Sequence, residues 1–510
     1  MSTEAVVTPP AEGTQDAPWH HLDRRMLLIR PVLDLVKSLP VLLGALLFGH
    51  GEPWQWVGLA FTAIAVFTGV SHVLTSRYRI TESQVEWRTG LLQRKHRAVP
   101  RDRIRTVDVT SEPKHRLFSL AAARIGTGRH SSGSRHKDEL VLDAVTTAEA
   151  QRLRTLLLHR KDAVATEAAA APPEQLIAAV DKRWLRYAPF TLSGLAVVGA
   201  AVGTVYHFAH ELHFDPIQFS LVQAVVGHFA ETPAWVSVVL AAAGLLVLVS
   251  LLSIGGYVLS FWNFRLTREP AGTLHIRRGL ITTRSVSIEE ERLRGAEIRE
   301  PLPLRLAGGA RCVAIAGGLR EGKGADKGGG LLLPPAPVAR AHEVVAEVLG
   351  EDPAATRLVR HPRRALYRRL SRAVLGVLLL AAALYGLAWL GALPDWPWQV
   401  ALVLVPVAAL VGWDRYRGLG HALIGRYLVT RSGSLDRGTA AVRSDGLTGI
   451  VVERSYFQRR AGLVTLIAPV AAGKGKYRVL DVGEADGLAL ADRAVPGLLT
   501  PFLTGDRNRG

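Results

Sequence analysis

Residues 235–261 form a run without one charged side chain, longer than the roughly 20 apolar residues that carry a helix across a bilayer core. Five further apolar segments accompany it: 38–51, 54–74, 187–206, 373–393 and 396–413. The first is short and contains Pro40, and it reaches spanning length only by admitting Asp34 and Lys37 near one end, where they could snorkel. The segments come in pairs. Gly49-His50-Gly51-Glu52-Pro53 joins one pair and Pro394-Asp395 another, connections too short to hold a domain, so each pair reads as a transmembrane hairpin. Trp54, Trp56, Trp184, Trp235, Trp262, Trp396, Trp398 and Trp413 fall at segment ends, where an amphipathic ring prefers the headgroup layer. Six buried helices of a soluble protein would have no reason for that placement.

Lysine and arginine fix the orientation. Arg77 and Arg79 follow the first hairpin, Arg183 and Arg186 precede the second, and Arg265 follows it. Arg368 and Arg369 precede the third hairpin and Arg415 follows it. The connections on the opposite side contain neither residue, and the longest, 207–233, carries Glu211, Asp215 and Glu231 instead. Both termini and all three polar regions are therefore expected on the cytoplasmic side of the plasma (inner) membrane. Residues 1–20 are rich in Ala, Pro and Thr and lack a basic stretch leading into an apolar one, so they read as a disordered tail, not a signal peptide.

The polar regions share a grammar, clearest in residues 77–109. There apolar and polar residues alternate (Tyr78, Ile80, Val85, Trp87) before a Thr89-Gly90 turn, as in a strand meander. A small-residue patch at 121–125, a glycine- and serine-rich basic loop, a strand at 139–142 and a helix opened by Thr146-Thr147-Ala148-Glu149 come next. The second region repeats the order with strands at 264–267, 273–278, 286–288, 293–298 and 331–333 and a helix over 338–349. The third copy is read as opening at Arg426-Tyr427-Leu428-Val429-Thr430. Its closing helix is poorly signalled, and Gly487, Pro496 and Gly497 make it short at best.

Several short antiparallel strands capped by one helix is the order of a small pleckstrin-homology (PH)-like barrel. The opening Tyr78-Arg79-Ile80-Thr81, then Gly90-Leu91, then Ile104-Arg105-Thr106-Val107 and the small-residue patch resemble the bacterial PH-like membrane proteins of the YdbS/YdbT type. The likeness covers nearly all the chain from about residue 20. It implies a membrane α-helical protein with six spans as three hairpins, plus three cytoplasmic PH-like β-barrel domains, each with a C-terminal helix. The division expected is a tail at 1–20, hairpin 1 at 21–75, PH-like domain 1 at 76–160 and a linker at 161–183. Hairpin 2 takes 184–262 with its outer loop at 207–233, and PH-like domain 2 takes 263–350. A basic linker at 351–371, hairpin 3 at 372–415, PH-like domain 3 at 416–505 and a tail at 506–510 complete the chain. The resemblance brings no catalytic residues. It implies a role in envelope integrity or resistance to membrane-active peptides, beside a paralogous PH-like membrane protein.

The net charge of +18 admits anionic lipid or nucleic acid as partner. The densest cluster, Arg94-Lys95-His96-Arg97 with Arg101, Arg103 and Arg105, has only Trp87 and Phe118 near it for base stacking, so nucleic acid is not expected. Basic loops recur at one place in each polar region: Arg129, Arg135 and Lys137; Arg320, Lys323 and Lys327; Lys474 and Lys476. These are the lipid-headgroup candidates, since each Lys or Arg near an anionic leaflet gains about 1 kcal/mol. The bland alternative is that they only satisfy topology and solubility.

Gly317-Gly318-Leu319-Arg320-Glu321-Gly322-Lys323-Gly324 fits half of a phosphate-cradling loop, but a glycine stands where a Mg²⁺-binding Ser or Thr is needed, and the glycine-rich run 325–330 beyond it cannot start a helix. His207, His210 and His213, with Glu211 and Asp215, sit in the outer loop and read as interfacial anchors before metal ligands. The single cysteine, Cys312, lies in a strand-like run and reads as a small buried hydrophobe. No cofactor, metal or catalytic set is expected. The reading is a non-enzymatic binding or assembly scaffold at the inner leaflet. The alternative, a lipid or peptide transporter using the six spans, is disfavoured because none of the segments carries a carboxylate, lysine or arginine within its clean span.

Overall fold

The computed structural model describes residues 18–23, 25–27, 52–81, 83–90, 94–101, 104, 106–126, 139–158, 174–191, 193–211, 233–270, 272–317, 330–353 and 357–497. They form two compact units, residues 1–170 with 282–287, and 171–281 with 288–510.

In chain order the first stretch holds β1 (His20–His21), helix α1 (Glu52–Thr75), β2 (Arg77–Ile80), β3 (Gln84–Thr89), β4 (Lys95–Pro100) and β5 (Thr106–Ser111). The short helix α2 (Pro113–Leu117), β6 (Leu120–Gly126), β7 (Glu139–Thr146) and α3 (Thr147–Leu158) complete it. The second stretch opens with β8 (Gln175–Ala179), a 3₁₀ segment Lys182–Thr191, and helices α4 (Ser193–Glu211) and α5 (Ala234–Phe261). Next come β9 (Arg265–Glu269), β10 (Thr273–Arg278), β11 (Thr283–Glu289), β12 (Leu293–Pro301) and α6 (Leu302–Leu306). It ends in β13 (Gly309–Ala316), β14 (Leu331–Pro337) and α7 (Val338–Leu349). The third has α8 (Arg363–Trp389), α9 (Trp396–Val403), α10 (Val405–Arg417), β15 (Gly420–Ile424), β16 (Tyr427–Ser432), β17 (Asp436–Arg443) and β18 (Val451–Glu453). Helix α11 (Tyr456–Ala461), β19 (Leu463–Pro469), β20 (Lys476–Gly483) and α12 (Glu484–Ala494) close it.

Among the described residues, three helices are long and apolar enough to cross a membrane: α5, α8, and α9 with α10 taken as one span from Trp396 to Arg417. A fourth arises if the 3₁₀ segment Lys182–Thr191 and Ser193–Thr204, bent by 51°, count together. Their side chains face outward: Leu246 is 70% and Val403 74% exposed. Helices apolar on every side and left uncovered by protein need hydrocarbon around them. The chain is a membrane protein. The expected segment at 38–51 lies outside the described residues, as do 212–232 of the outer loop.

In the first unit β1-β2-β3-β4 form one antiparallel sheet, and β7-β6-β5 another, which Thr283–Ser287 of β11 extends beside β5. Strand alternation sends Val85, Val107, Val109, Ala123, Ile125, Leu140 and Leu142 into one core with Tyr78, closed by Leu153 and Leu157 of α3. In the second unit a six-stranded sheet runs β14-β13-β12-β17-β16-β15, so β12 pairs with a strand more than a hundred residues further on, from Gly295↔Val442 to Pro301↔Asp436. A three-stranded sheet, β18-β19-β20, packs Val464, Leu466, Val479 and Val482 against Leu490 and Ala491 of α12.

Two sequence expectations change. The third copy opens one strand earlier than Arg426–Thr430: β15, with His421 and Ala422 buried and no arginine, precedes β16 and pairs with it from Gly420↔Arg431 to Ile424↔Tyr427. The aromatic-Arg-aliphatic-Thr pattern is ordinary strand alternation and fits the second strand equally well. The third closing helix, doubted because of Gly487, exists as α12 and is 11 residues long. Gly487 is there for packing, since a Cβ on it would stand 2.7 Å from Val464 Cγ2 and 2.9 Å from Val482 Cγ1.

Candidate functional site

At the start of α8 and the end of α10, buried polar groups lock helices to sheets. Asp481 adopts φ +55 in β20 and is 2% exposed. Its carboxylate accepts from Arg368 and, at 2.8 Å, from Arg369, both on the first turns of α8. Gln458 Nε2 adds a third bond at 2.9 Å, and α11 holds that glutamine by a capping box with Ser455. Asp414, near the end of α10, accepts from Arg305 at 3.0 Å, Arg437 at 3.3 Å and the Ser434 hydroxyl at 2.7 Å. Both clusters tie an end of a membrane helix to β-structure by charge-assisted bonds, which are the strong kind.

Behind the first clamp lies a histidine pair. His361 Nδ1 is 3.1 Å from the Asp481 carbonyl, which can only accept, so Nδ1 carries the proton and Nε2 is left as acceptor. His421 Nδ1, 3.1 Å from that Nε2, must then donate. Burial pushes both below the usual histidine value, His421 to about 4 with help from its neighbour. The pair is neutral at physiological pH. Tyr416 Oη donates to the His361 carbonyl at 2.9 Å.

His361 and Tyr416 also wall a half-open cavity of about 1110 Å³. The segment between α7 and α8 brings Arg357, Leu358 and Arg360; Val359 within it bridges to His421 on the edge of β15. The end of α10 brings Trp413 and Arg417, and the loop and strands beyond it Leu419 and Arg431, with His342 of α7 completing the wall. No carboxylate lines the space, and none of the four arginines forms an ion pair among the described residues. Burial lowers the Arg431 pKa, opposed only by the distant pull of Glu300, and its Nε has no hydrogen-bond partner among the described residues. Arg417 is stacked 4.6 Å from the centre of the Trp413 ring, which fixes its fork at the cavity mouth. Four guanidinium forks around a partly apolar recess suit a phosphate-bearing anion, since each fork can give two parallel N–H bonds.

Of the headgroup candidates read from sequence, the two that are described, Lys474 and Lys476, do not line this cavity. Arg129, Arg135, Lys137, Arg320, Lys323 and Lys327 lie outside the described residues, as does the half-matched phosphate loop beyond Gly317. Lys474 Nζ donates at 2.6 Å to Glu297, and Lys476 is exposed at the start of β20. The orientation arginines divide. Arg79 bonds Glu86 at 2.9 Å and stacks on Trp19 at 4.8 Å, and Arg186 bonds the Tyr187 hydroxyl at 2.7 Å. Arg368 and Arg369 form the Asp481 clamp, while Arg77, Arg183, Arg265 and Arg415 are exposed. Glu86 is held below the usual carboxylate value: burial acts to raise it, but bonds from Arg79, His96 and Gln84 outweigh that. Of the outer-loop histidines, His207 is exposed on α4, and His213 lies outside the described residues. Cys312 is buried, its Sγ donating to the Ala341 carbonyl at 3.4 Å, and burial raises its pKa, as suits a packing residue.

The Bacterial PH domain family matches residues 34–161 and 375–491; the first stretch takes in α1 and the second most of α8 with α9 and α10, each with β-structure that comes after. Two stretches of the chain are therefore similar to bacterial PH domains. It is similar to the UPF0699 transmembrane protein YdbT of Bacillus subtilis (strain 168), 25% identical over 429 residues that cover 80% of this chain and 83% of that one. No solved structure matches the chain. The second matched stretch contains Trp413, Tyr416, Arg417, Leu419 and Arg431, so that side of the cavity lies within a stretch similar to a bacterial PH domain.

Sequence reasoning missed the cavity. Arg357 and Arg360 were visible as a basic linker, but Arg431 carries no local signal, and nothing in the order of residues says that three separate stretches meet.

Proposed function

We propose that the chain is a non-enzymatic membrane scaffold, with six spans as three hairpins and three PH-like modules on the cytoplasmic side of the plasma membrane. The modules give rigid binding surfaces, and the arginine-lined cavity anchors the third hairpin's foot to the phosphate of an anionic lipid. The observation that carries this reading is a set of four guanidinium groups without an ion pair among the described residues, one of them half-buried, around an open recess at the end of a membrane helix. Trp413 at the same level fits the headgroup layer. By its likeness to YdbT-type proteins, the process served is envelope integrity or resistance to membrane-active peptides.

The test is a melting experiment on the detergent-solubilised full chain with phosphatidylglycerol or phosphatidylcholine added. Phosphatidylglycerol raises the melting temperature of the native chain, and Arg360→Gln with Arg431→Gln removes that rise. Equal shifts with both lipids would rule the cavity out as a headgroup site. For the process, a strain lacking the gene gains sensitivity to membrane-active peptides that the double variant restores only in part; unchanged sensitivity contradicts the assignment.

A further inference from the structure

In two places a PH-like sheet is completed by a strand from the next stretch of chain. Thr283–Ser287 of β11 extends the sheet at β5, and β17 extends the sheet at β12. The third sheet of this kind, β18-β19-β20, has no such addition, and β18 ends it as a bare edge among the described residues. At the other end of the series, β4 occupies the place that β11 and β17 occupy in their own modules, and it too is the last strand of its sheet.

β18 is built like β12. A one-turn 3₁₀ segment, Glu290–Arg292 or Ser444–Gly446, precedes each strand, and a short helix, α6 or α11, comes after it. The pairing to the next strand has the same register, Glu297↔Val313 and Val451↔Ile467, which makes Gly449 the counterpart of Gly295. The two glycines share an unusual backbone, φ +151 and +158. At Gly295 the reason is plain: a Cβ would lie 1.9 Å from the Ala441 carbonyl oxygen of the added strand β17. At Gly449 a Cβ would meet nothing within 4 Å. The glycine leaves room for a strand that the described residues do not supply, and Val451 beside it is 50% exposed where Glu297 is covered.

We infer that β18 accepts β4 of a second copy of this chain, by strand addition. Carrying the β12–β17 register over puts Val99 against Gly449, Ala98 against Ile450 and position 95, a lysine, against Glu453. An acid faces a base, as Asp108 faces Arg284 at 3.7 Å where β11 adds to β5. The inference rests on the proposed placement of all modules on one membrane face, which puts both edges in the same compartment. The contact is heterologous, so copies join head to tail into a ring or a file.

The experiment uses the full chain in membranes, in a Cys312→Ala background. Two differently tagged copies are coexpressed, one carrying Glu453→Cys and the other Lys95→Cys, and oxidised. Arg299→Cys with Gly438→Cys, a register pair inside the β12–β17 ladder, serves as the control for closure. The expected result is a covalent species bearing both tags, lost when Gly449→Ala is added while the Arg299→Cys with Gly438→Cys control still closes in that variant. Absence of the two-tag species while the control closes would overturn the inference. So would adducts of Glu453→Cys only to foreign chains. Such adducts would leave the lipid reading of the cavity standing.

Discussion

Asp481 shows how much one buried carboxylate can decide. It is held in a left-handed backbone conformation and answers two arginines that are themselves 16% and 12% exposed. Removing one partner from a buried ion pair leaves uncompensated charge and costs about 3–5 kcal/mol. Asp481→Ala is therefore expected to lower the melting temperature of the solubilised chain strongly, and Asp481→Asn by less, because an amide oxygen still accepts. A variant that melts with the native chain would show that the clamp does not hold α8 to β20. The histidine pair behind it gives stability a pH dependence with a definite sign. His421 titrates near 4 in the folded chain against 6.5 when free, so the unfolded chain binds its proton first as pH falls. Stability is complete above about pH 6.5 and is lost as pH falls toward 4, by on the order of 3 kcal/mol for this group, with His361 acting in the same direction. Melting curves from pH 7.5 down to about pH 4.5 should fall for the native chain and fall less steeply for His421→Gln, where His361 alone remains. A native profile without slope would mean that the pair is charged or open to water. Neither the clamp nor the pair was legible in the sequence. Arg368 and Arg369 sit where the positive-inside rule asks for arginine, so topology alone accounts for them at that level.

Elements were more legible where one face decides them. Val344, Val345, Val348 and Ala341 recur at helical spacing, and α7 spans Val338–Leu349 as expected. β10 spans Thr273–Arg278, again as read from alternation. The misreadings came where packing overrides local preference. Gly487 reads as a helix breaker, yet it allows α12 to lie against β19 and β20. Gly487→Leu should cost roughly 1–3 kcal/mol by forcing Val464 and Val482 apart, although leucine is the better helix former. If the substitution raised the melting temperature, helix propensity would outweigh packing here. The pairing of β12 with β17 was beyond local reading for a different reason. Both strands mix apolar and charged residues like any half-buried strand, and nothing short-range says that their partner is non-local.

At the scale of the molecule, the apolar segments that form α5, α8 and α9 with α10 were the most legible part, because lipid imposes a length on any chain that crosses it. A site assembled from the 357–361 segment, the end of α10 and β16 has no such external ruler. Its existence depends on where the fold delivers four arginines. The most direct measurement is native mass spectrometry of the full chain released from membranes of its own host, comparing the native chain with Arg357→Gln, Arg360→Gln and Arg431→Gln combined. The native chain should retain anionic phospholipid through mild activation and the triple variant should lose it, with both still folded by melting. Equal retention of anionic lipid in the two, or retention of zwitterionic lipid alone, would contradict the cavity as the headgroup anchor.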